Sequence, residues 1–108
     1  MYNLIESDWK TFSRLVPEWR ERYITGINEK LVHILSNPKE TQTDAFWDTK
    51  EKVDKSAKIL RDCLDGHSRS SMTRYLILMI NHNMINLDDF SGFSEELQEH
   101  MEDYSKQF

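Results

Sequence analysis

Residues 9–34 read WKTFSRLVPEWRERYITGINEKLVHI, and this stretch decides the fold class. Its large apolar side chains recur at intervals of three or four residues: Trp9, Phe12, Val16, Trp19, Tyr23, Ile27, Leu31 and Ile34. Such spacing places the side chains along one face of an α-helix. The stretch therefore predicts helix with one face turned towards a core.

Pro17 lies in the middle of this stripe. Proline has no N–H and its ring clashes with the preceding turn, so we expect a short helix, a break or kink, and a second helix with Pro17 in its first turn. Because the apolar phase continues through Pro17, a kinked continuous helix is the alternative. Ser7 and Asp8 are the expected N-cap residues, and Ser36-Asn37-Pro38 is the expected end of the helical region.

Residues 45–65 continue the helical spacing and predict a further helix of about 21 residues. Thr43-Asp44 is its expected cap, and Gly66 stands where a helix C-terminus favours a residue with positive φ. Lys50 occupies the one slot that interrupts the apolar stripe. The stripe itself consists of Phe46, Val53, Ala57, Leu60 and Leu64. Its length would also suit self-association through helix pairing.

The last third of the chain contains its most apolar segment. The residues Met72, Tyr75, Leu76, Met79 and Ile80 predict the most buried helix, with a strand over residues 75–80 as the alternative. We expect this helix to end at residues 81–83, a short helical turn over residues 87–90, and a final helix capped by Ser94. The final helix would present Leu97, Met101, Tyr104 and Phe108. The predicted fold class is all-α: one domain, residues 1–108, built as a small bundle of four to five amphipathic helices.

Composition narrows the class of protein further. The chain has 108 residues, enough for one domain, with only 3 Gly and 2 Pro, which favours long helices over the many turns of a sandwich or barrel. Its single cysteine, Cys63, excludes an internal disulfide and fits a reducing compartment. The first residues show no signal-peptide pattern, and the longest apolar run, residues 75–80, is far below the roughly 20 residues of a membrane span. We expect a soluble, cytoplasmic protein.

Negative charge is concentrated near the C-terminus. Residues 75–108 contain one basic and seven acidic side chains, whereas the rest of the chain is close to neutral. The acidic residues are Asp88, Asp89, Glu95, Glu96, Glu99, Glu102 and Asp103. A solvated helix face is one interpretation, since acids are favourable near a helix N-terminus. The other is a docking surface for a basic, nucleic-acid-handling protein.

A smaller basic group surrounds the polar connector that follows Gly66. Arg61, Arg69 and Arg74 are the candidates for contact with nucleic acid, because a helix, a connector and a second helix with basic residues resemble DNA-binding helix pairs. The connector is longer than a tight turn, and the helix after it is too apolar to lie in a groove. Direct nucleic-acid binding is therefore not the expected function.

The sequence shows no constellation of residues that would support catalysis or bind a metal ion. Its three glycines stand apart, so there is no phosphate-binding loop. Cys63 and His67 are only two ligands, which do not make a zinc site. The acidic stretch at residues 88–95 lacks oxygen donors at the positions that a calcium loop requires. We predict no catalytic residues, no metal and no cofactor.

Large aromatic side chains are the strongest remaining signal. Most of them fit the stripe of the first helical region and are expected in the core. Trp47 lies off the phase of Phe46 and Val53. An exposed tryptophan is a frequent anchor of protein–protein contacts, so Trp47 is a candidate contact residue.

Four segments of the chain carry a resemblance to known proteins: residues 7–10 (SDWK), 16–23 (VPEWRERY), 85–90 (INLDDF) and 93–97 (FSEEL). Together they resemble a family of small uncharacterised bacterial proteins of similar length, some of which are called multidrug transporters. The resemblance covers both ends of the chain and implies a compact bacterial helical protein. It implies no catalytic residues.

These observations predict a non-catalytic protein-interaction module that self-associates, with a homodimer as one outcome. One alternative is an inhibitor encoded on a mobile element, similar to anti-CRISPR proteins, which would block a nucleic-acid enzyme with its acidic last third. A second alternative is a nucleic-acid-binding regulator. The predicted partner is a protein, either a basic one or a second copy of the chain, and not a membrane.

Overall fold

A computed structural model describes residues 2–37, 39 and 41–107 of the chain. These residues form four α-helices and no strand: α1 (Glu6–Ser36), α2 (Gln42–Leu64), α3 (Met72–Asn81) and α4 (Glu95–Gln107). Single 3₁₀ turns, Arg69–Ser71 and Leu87–Phe90, precede α3 and α4. The predicted all-α fold is confirmed, and the strand alternative for residues 75–80 is wrong.

Helix α1 is 31 residues long and is continuous through Pro17, so the expected break is wrong. Pro17 cannot donate to the carbonyl of Ser13, one turn earlier. Both residues are exposed, and water can therefore hydrate that carbonyl. The same apolar face is buried before and after Pro17, at Phe12, Val16 and Trp19, and this packing holds the helix together.

The start of α1 differs from the expectation, whereas its end agrees with it. The N-cap is Ile5, whose carbonyl accepts from the main-chain N–H of Asp8 at 2.9 Å. Asp8 therefore lies in the first turn, and the predicted Ser7–Asp8 cap is wrong. Helix α1 ends at Ser36, and the N–H of Asn37 donates to the carbonyl of His33 at 3.0 Å. Pro38, the other predicted stop residue, lies outside the described residues.

The start of α2 lies two residues before the predicted cap. Thr41 is the N-cap, and its Oγ1 accepts from the main-chain N–H of Asp44 at 3.1 Å. Helix α2 ends at Leu64, and Gly66 has φ of +80°, as its position predicted. Asp65 is the C-cap in extended conformation.

The core lies at one end of the molecule. It contains the N-terminal half of α1, the last turn of α2, all of α3 and the start of α4. Met72, Leu76 and Met79 are fully buried, which confirms α3 as the most buried helix. The core residues are Phe12, Val16, Trp19, Cys63, Met72, Tyr75, Leu76, Met79, Met84, Ile85, Phe90, Phe93, Leu97 and Met101.

The final helix begins as predicted. The main-chain N–H of Leu97 donates to Oγ of Ser94 at 3.2 Å, which is the N-cap bond that α4 requires. Leu97 and Met101 are buried and Tyr104 is half-buried. Phe108, expected on the same face, lies outside the described residues.

The second half of α1 and the first half of α2 project from the core as a helical hairpin. Helix α1 alone is about 46 Å long, and the molecule measures 53 × 26 × 18 Å. Beyond the core, these two helices pack on each other. We call residues 25–36 of α1 and 42–57 of α2 the hairpin. None of the helices, as far as the chain is described, contains a segment long and apolar enough to span a membrane.

Candidate interaction surface

The two helices of the hairpin meet along a seam of buried and half-buried side chains. Helix α1 contributes aliphatic residues and α2 contributes shorter or polar ones. The seam residues, all buried or half-buried, are Ile27, Leu31 and Ile34 on α1 and Ala45, Thr49, Lys52 and Ser56 on α2. On α2 these positions follow a spacing of four, three and four residues, which is the spacing of paired helices. The buried face of α2 is therefore one residue out of phase with the predicted stripe.

Large apolar side chains lie outside this seam. Of the seven large apolar residues that are exposed in the described chain, five belong to the hairpin: Val32, Leu35, Phe46, Trp47 and Val53. We call these five residues the hairpin patch. Phe46 and Val53 were predicted to be buried, and at 59% and 43% exposure that prediction is wrong. The reason is that α1 covers only one face of α2, and Ala45 and Ser56 occupy that face.

Four members of the hairpin patch lie on the same side of the hairpin. Each directly follows a seam residue in the sequence: Val32, Leu35, Phe46 and Val53. In an antiparallel pair of right-handed helices, the residue after a seam residue points to the same side on both helices. Trp47 adjoins this side because its ring makes an edge-on contact with that of Phe46, with centroids 5.0 Å apart.

The two sides of the hairpin differ in charge. On the side of the patch, Thr25, Asn28 and Ser36 of α1 are uncharged, and the charged side chains are Glu29, which adjoins Val32, and the Lys50–Asp54 pair on α2. Helical geometry places Lys30, His33, Glu51 and Lys55 on the other sides of the hairpin. Lys55 and Glu51 pair there at 2.7 Å.

Trp47 is one of the contact residues predicted from the sequence. Its side chain is 57% exposed, although aromatic residues of this size usually bury most of their surface. The other members of the hairpin patch were not predicted as contact residues. The signal that could have identified them is the presence of two overlapping stripes in α2, one of small residues and one of large residues, only one of which can face α1.

The seven acidic residues predicted as contacts lie on α4 and in the 3₁₀ turn before it. Six are exposed: Asp88, Glu95, Glu96, Glu99, Glu102 and Asp103. Three of them, Glu96, Glu99 and Asp103, line an open groove of about 450 Å³ together with Tyr2 and His100. The rings of Tyr2 and His100 contact each other there, with centroids 5.9 Å apart.

Asp89, the seventh, is half-buried and forms an ion pair with Arg22. Nη1 and Nη2 of Arg22 donate to its two carboxylate oxygens at 2.8 and 2.9 Å, and Nη2 also donates to the carbonyl of Met84 at 3.1 Å. Burial opposes ionisation of Asp89, yet the bonds from Arg22 and from the main-chain N–H of Asn86 hold its pKa below the ordinary value. This carboxylate connects the turn before α4 to the middle of α1.

The three arginines considered for nucleic-acid contact have different surroundings. Arg69 donates three hydrogen bonds to the carboxylate of Glu6 at 2.8 to 3.2 Å and lies 5.3 Å from the ring centroid of Trp9. Its positive charge is therefore neutralised within the chain. Arg74 lies 5.3 Å from the ring centroid of Tyr75, and Arg61 is exposed near the end of α2.

Cys63 and His67, the two residues considered as a metal or thiolate pair, are packed in the core region. Cys63 is fully buried, and burial, with a smaller effect of nearby Asp62, raises the pKa of its thiol to about 11. His67 lies between the rings of Phe12 and Tyr75, with centroids 4.9 and 4.6 Å away. Its Nε2 is 2.7 Å from the carbonyl of Cys63, a main-chain contact. Across the described part of the chain, no three His, Cys, Asp or Glu residues are grouped to hold a metal ion.

Comparisons of this chain with protein families, with curated proteins and with solved structures find no match. The resemblance to small bacterial helical proteins stays a prediction. The candidate surface therefore rests on the geometry of the hairpin alone.

Proposed function

We propose that this chain is a non-catalytic protein-interaction module and that the hairpin patch is its contact surface. The observation that carries the proposal is the position of the patch. Five large apolar side chains are exposed on the hairpin, outside the core. Contiguous apolar surface of this kind marks protein–protein contact sites.

The reactive side chains of Cys63, His67 and Asp8 support the same proposal, because each is engaged in packing or hydrogen bonds that hold the fold together. The thiol of Cys63 is buried with a raised pKa, and His67 is packed between two aromatic rings. Asp8, which is 1% exposed, accepts hydrogen bonds from Tyr2 and Ser94. A cytoplasmic location is part of the proposal, since a single buried thiol suits a reducing compartment.

Site-specific photo-crosslinking tests this proposal. A photoreactive phenylalanine analogue at position 47 should form a discrete adduct with a protein in cells that express the chain. The same analogue at position 55, on the charged side of the hairpin, is the matched control and should form none. Val32→Asp, on the other helix of the hairpin, should abolish the adduct from position 47. Equal adducts from both positions, or none from position 47, would contradict the proposal.

A second candidate function is inhibition of a nucleic-acid-handling protein through the acidic groove. The observation in its favour is that Glu96, Glu99 and Asp103 surround one open groove. Negative charge of this density attracts a basic surface and repels a phosphate backbone. Capture of a basic, nucleic-acid-binding protein that is lost on Glu99→Lys with Asp103→Lys, and kept on Val53→Asp, would favour this function over the first.

A further inference from the structure

We propose that the partner of the hairpin patch is a second copy of this chain, with the two α2 helices packed antiparallel about a two-fold axis. This inference rests on the proposed function and specifies the partner for the same surface. The two hairpins would then form a four-helix bundle, an arrangement in which side chains from facing helices share one core.

The hairpin is incomplete as a two-helix unit. Its seam on α2 consists of Ala45, Thr49, Lys52 and Ser56, which bury little apolar surface. Oγ1 of Thr49, in the same seam, is buried with no hydrogen-bond partner among the described residues, which further weakens the seam. The larger apolar side chains point away from the seam, so the hairpin becomes more stable when a second hairpin covers them.

The uncovered face of α2 has the spacing of a helix that pairs with another helix. Phe46, Lys50, Val53 and Ala57 follow one another at intervals of four, three and four residues, which is the spacing of a helix-pairing seam. An antiparallel pairing centred between residues 51 and 52 brings Phe46 opposite Ala57 of the second copy. The large ring then faces a small side chain at both ends of the contact, and the layers interdigitate.

Two opposite charges, Lys50 and Asp54, lie on the uncovered face of α2. Lys50 and Asp54 pair within one chain at 2.6 Å, and both side chains are more than half exposed. The same pairing brings Lys50 of one copy beside Val53 and Asp54 of the other, and the two-fold axis repeats this contact. A lysine in an otherwise apolar seam specifies register in paired helices. In the dimer, each lysine at position 50 therefore lies near an aspartate of the other copy.

The hairpin patch exposes enough apolar area for a weak specific dimer. Phe46 and Trp47 are more than half exposed, and such side chains bury about 150–250 Å² each. With Val32, Leu35 and Val53, one copy offers roughly 500 Å² of apolar surface, so two copies would cover roughly 1,000 Å² before any polar rim is added. This is the size at which specific interfaces begin.

Sedimentation equilibrium of the full chain, between about 1 and 500 μM, tests the inference first. We expect a reversible monomer–dimer equilibrium with Kd in the micromolar range, as interfaces of this size give. Phe46→Asp should weaken the dimer by at least tenfold, because it replaces the ring that faces Ala57 of the other copy with a charge that has no partner across the axis. A chain that stays monomeric throughout this range would overturn the inference.

Charge reversal then tests the arrangement. Lys50→Glu and Asp54→Lys should each raise Kd about tenfold, because each variant places like charges together twice across the axis. An equimolar mixture of the two variants should form a heterodimer with nearly wild-type Kd, since both contacts are again between opposite charges. Within each chain the pair at positions 50 and 54 stays repulsive, so rescue by mixing reports only the contact between copies.

Glu51→Lys and Lys55→Glu are matched controls, because they reverse charge in an equivalent pair on the other side of α2. They should leave Kd unchanged, alone or mixed. A dimer that is insensitive to positions 50 and 54, or equally sensitive to 51 and 55, would overturn the arrangement. If the chain is monomeric and the crosslink from position 47 joins a different protein, this inference fails while the proposed function stands. If no crosslink forms, both fail.

Discussion

Asp8 in the first turn of α1 accepts two hydrogen bonds from Ser94, which lies 86 positions further along the chain. The main-chain N–H of Ser94 donates to Oδ1 at 2.8 Å, and its hydroxyl donates to Oδ2 at 2.6 Å. The hydroxyl of Tyr2 donates to Oδ2 at 2.7 Å. Because the Ser94 hydroxyl donates its hydrogen bond to Asp8, its lone pairs are free to accept from the main-chain N–H of Leu97 and so cap α4. One buried carboxylate thus determines where α4 begins and attaches it to α1.

Removal of this carboxylate should destabilise the fold strongly. Asp8→Ala leaves the donors of Ser94 and Tyr2 without their acceptor in a buried site, and each buried donor that loses its partner costs about 1–3 kcal/mol. We expect the free energy of unfolding to fall by about 2–4 kcal/mol in urea unfolding followed by circular dichroism.

The control for Asp8 is Asp48→Ala, which removes an exposed carboxylate from α2 and should change the free energy of unfolding by less than about 0.5 kcal/mol. Tyr2→Phe, which removes one of the three donors, should cost about 1 kcal/mol. Equal losses for Asp8→Ala and Asp48→Ala would show that the buried network contributes nothing beyond a surface charge.

The pair formed by Arg22 and Asp89 should make stability depend on pH. Because the pKa of Asp89 lies below its ordinary value in the folded chain, its stabilisation is present above that ordinary value and is lost as pH falls through the folded pKa. Arg22→Ala should lower the free energy of unfolding by about 1–2 kcal/mol at pH 7, and the difference from wild type should shrink below about pH 4.

Urea unfolding at a series of pH values between about 3 and 7 measures this difference. Arg20→Ala, an exposed arginine on the same helix, is the matched control and should show a small difference that does not vary with pH. A loss for Arg22→Ala that is the same at the acid end of this series as at neutral pH would mean that Asp89 is not the relevant partner.

The sequence predicted the helices well, because apolar spacing reports which residues share a helix face. Phe12, Val16 and Trp19 are buried as their stripe predicted, and α3 is the most buried helix. The pattern failed on α2 because the face that meets α1 carries small and polar side chains, which an apolar pattern does not detect. Size favoured the stripe of Phe46 and Val53, whereas close approach to α1 required the small side chains of Ala45 and Ser56.

The caps and the contact surface were harder to predict for a related reason. Asp8 has the chemistry of an N-cap, but its carboxylate serves the start of α4, far along the chain, and no local pattern reports such a partner. Asp89 likewise counted as one of seven acidic surface residues, although Arg22 holds it. Local spacing therefore predicts elements, while the partners of individual polar side chains depend on how the elements pack.

Two glycines should respond in opposite directions to the same substitution. Gly26 lies inside α1, and a Cβ added there would meet no described atom of a neighbouring element within 4 Å, so Gly26→Ala should raise the free energy of unfolding by about 0.5–1 kcal/mol. Gly66 has φ of +80°, and a Cβ there would lie 3.1 Å from the hydroxyl oxygen of Tyr75. Gly66→Ala should therefore cost about 1–2 kcal/mol.

Thermal and urea unfolding of these two variants are compared directly, and each serves as the control for the other. If Gly66→Ala proves as stabilising as Gly26→Ala, the chain after α2 does not adopt the left-handed conformation. If Gly26→Ala is destabilising, α1 is not a regular helix at that position.

The thiol of Cys63 should be protected from reaction in the folded chain. It is fully buried, and burial raises its pKa to about 11, so that only about one thiol in a thousand is ionised at pH 8. We expect the aromatic disulfide reagent DTNB to modify native Cys63 at least a hundredfold more slowly than the same residue in urea. The matched control is Ser13→Cys in a Cys63→Ala background, which places a thiol on the exposed side of α1 and should react at the rate of the unfolded chain. Native Cys63 reacting as fast as this control would show that the last turn of α2 is open to solvent, and would remove it from the core.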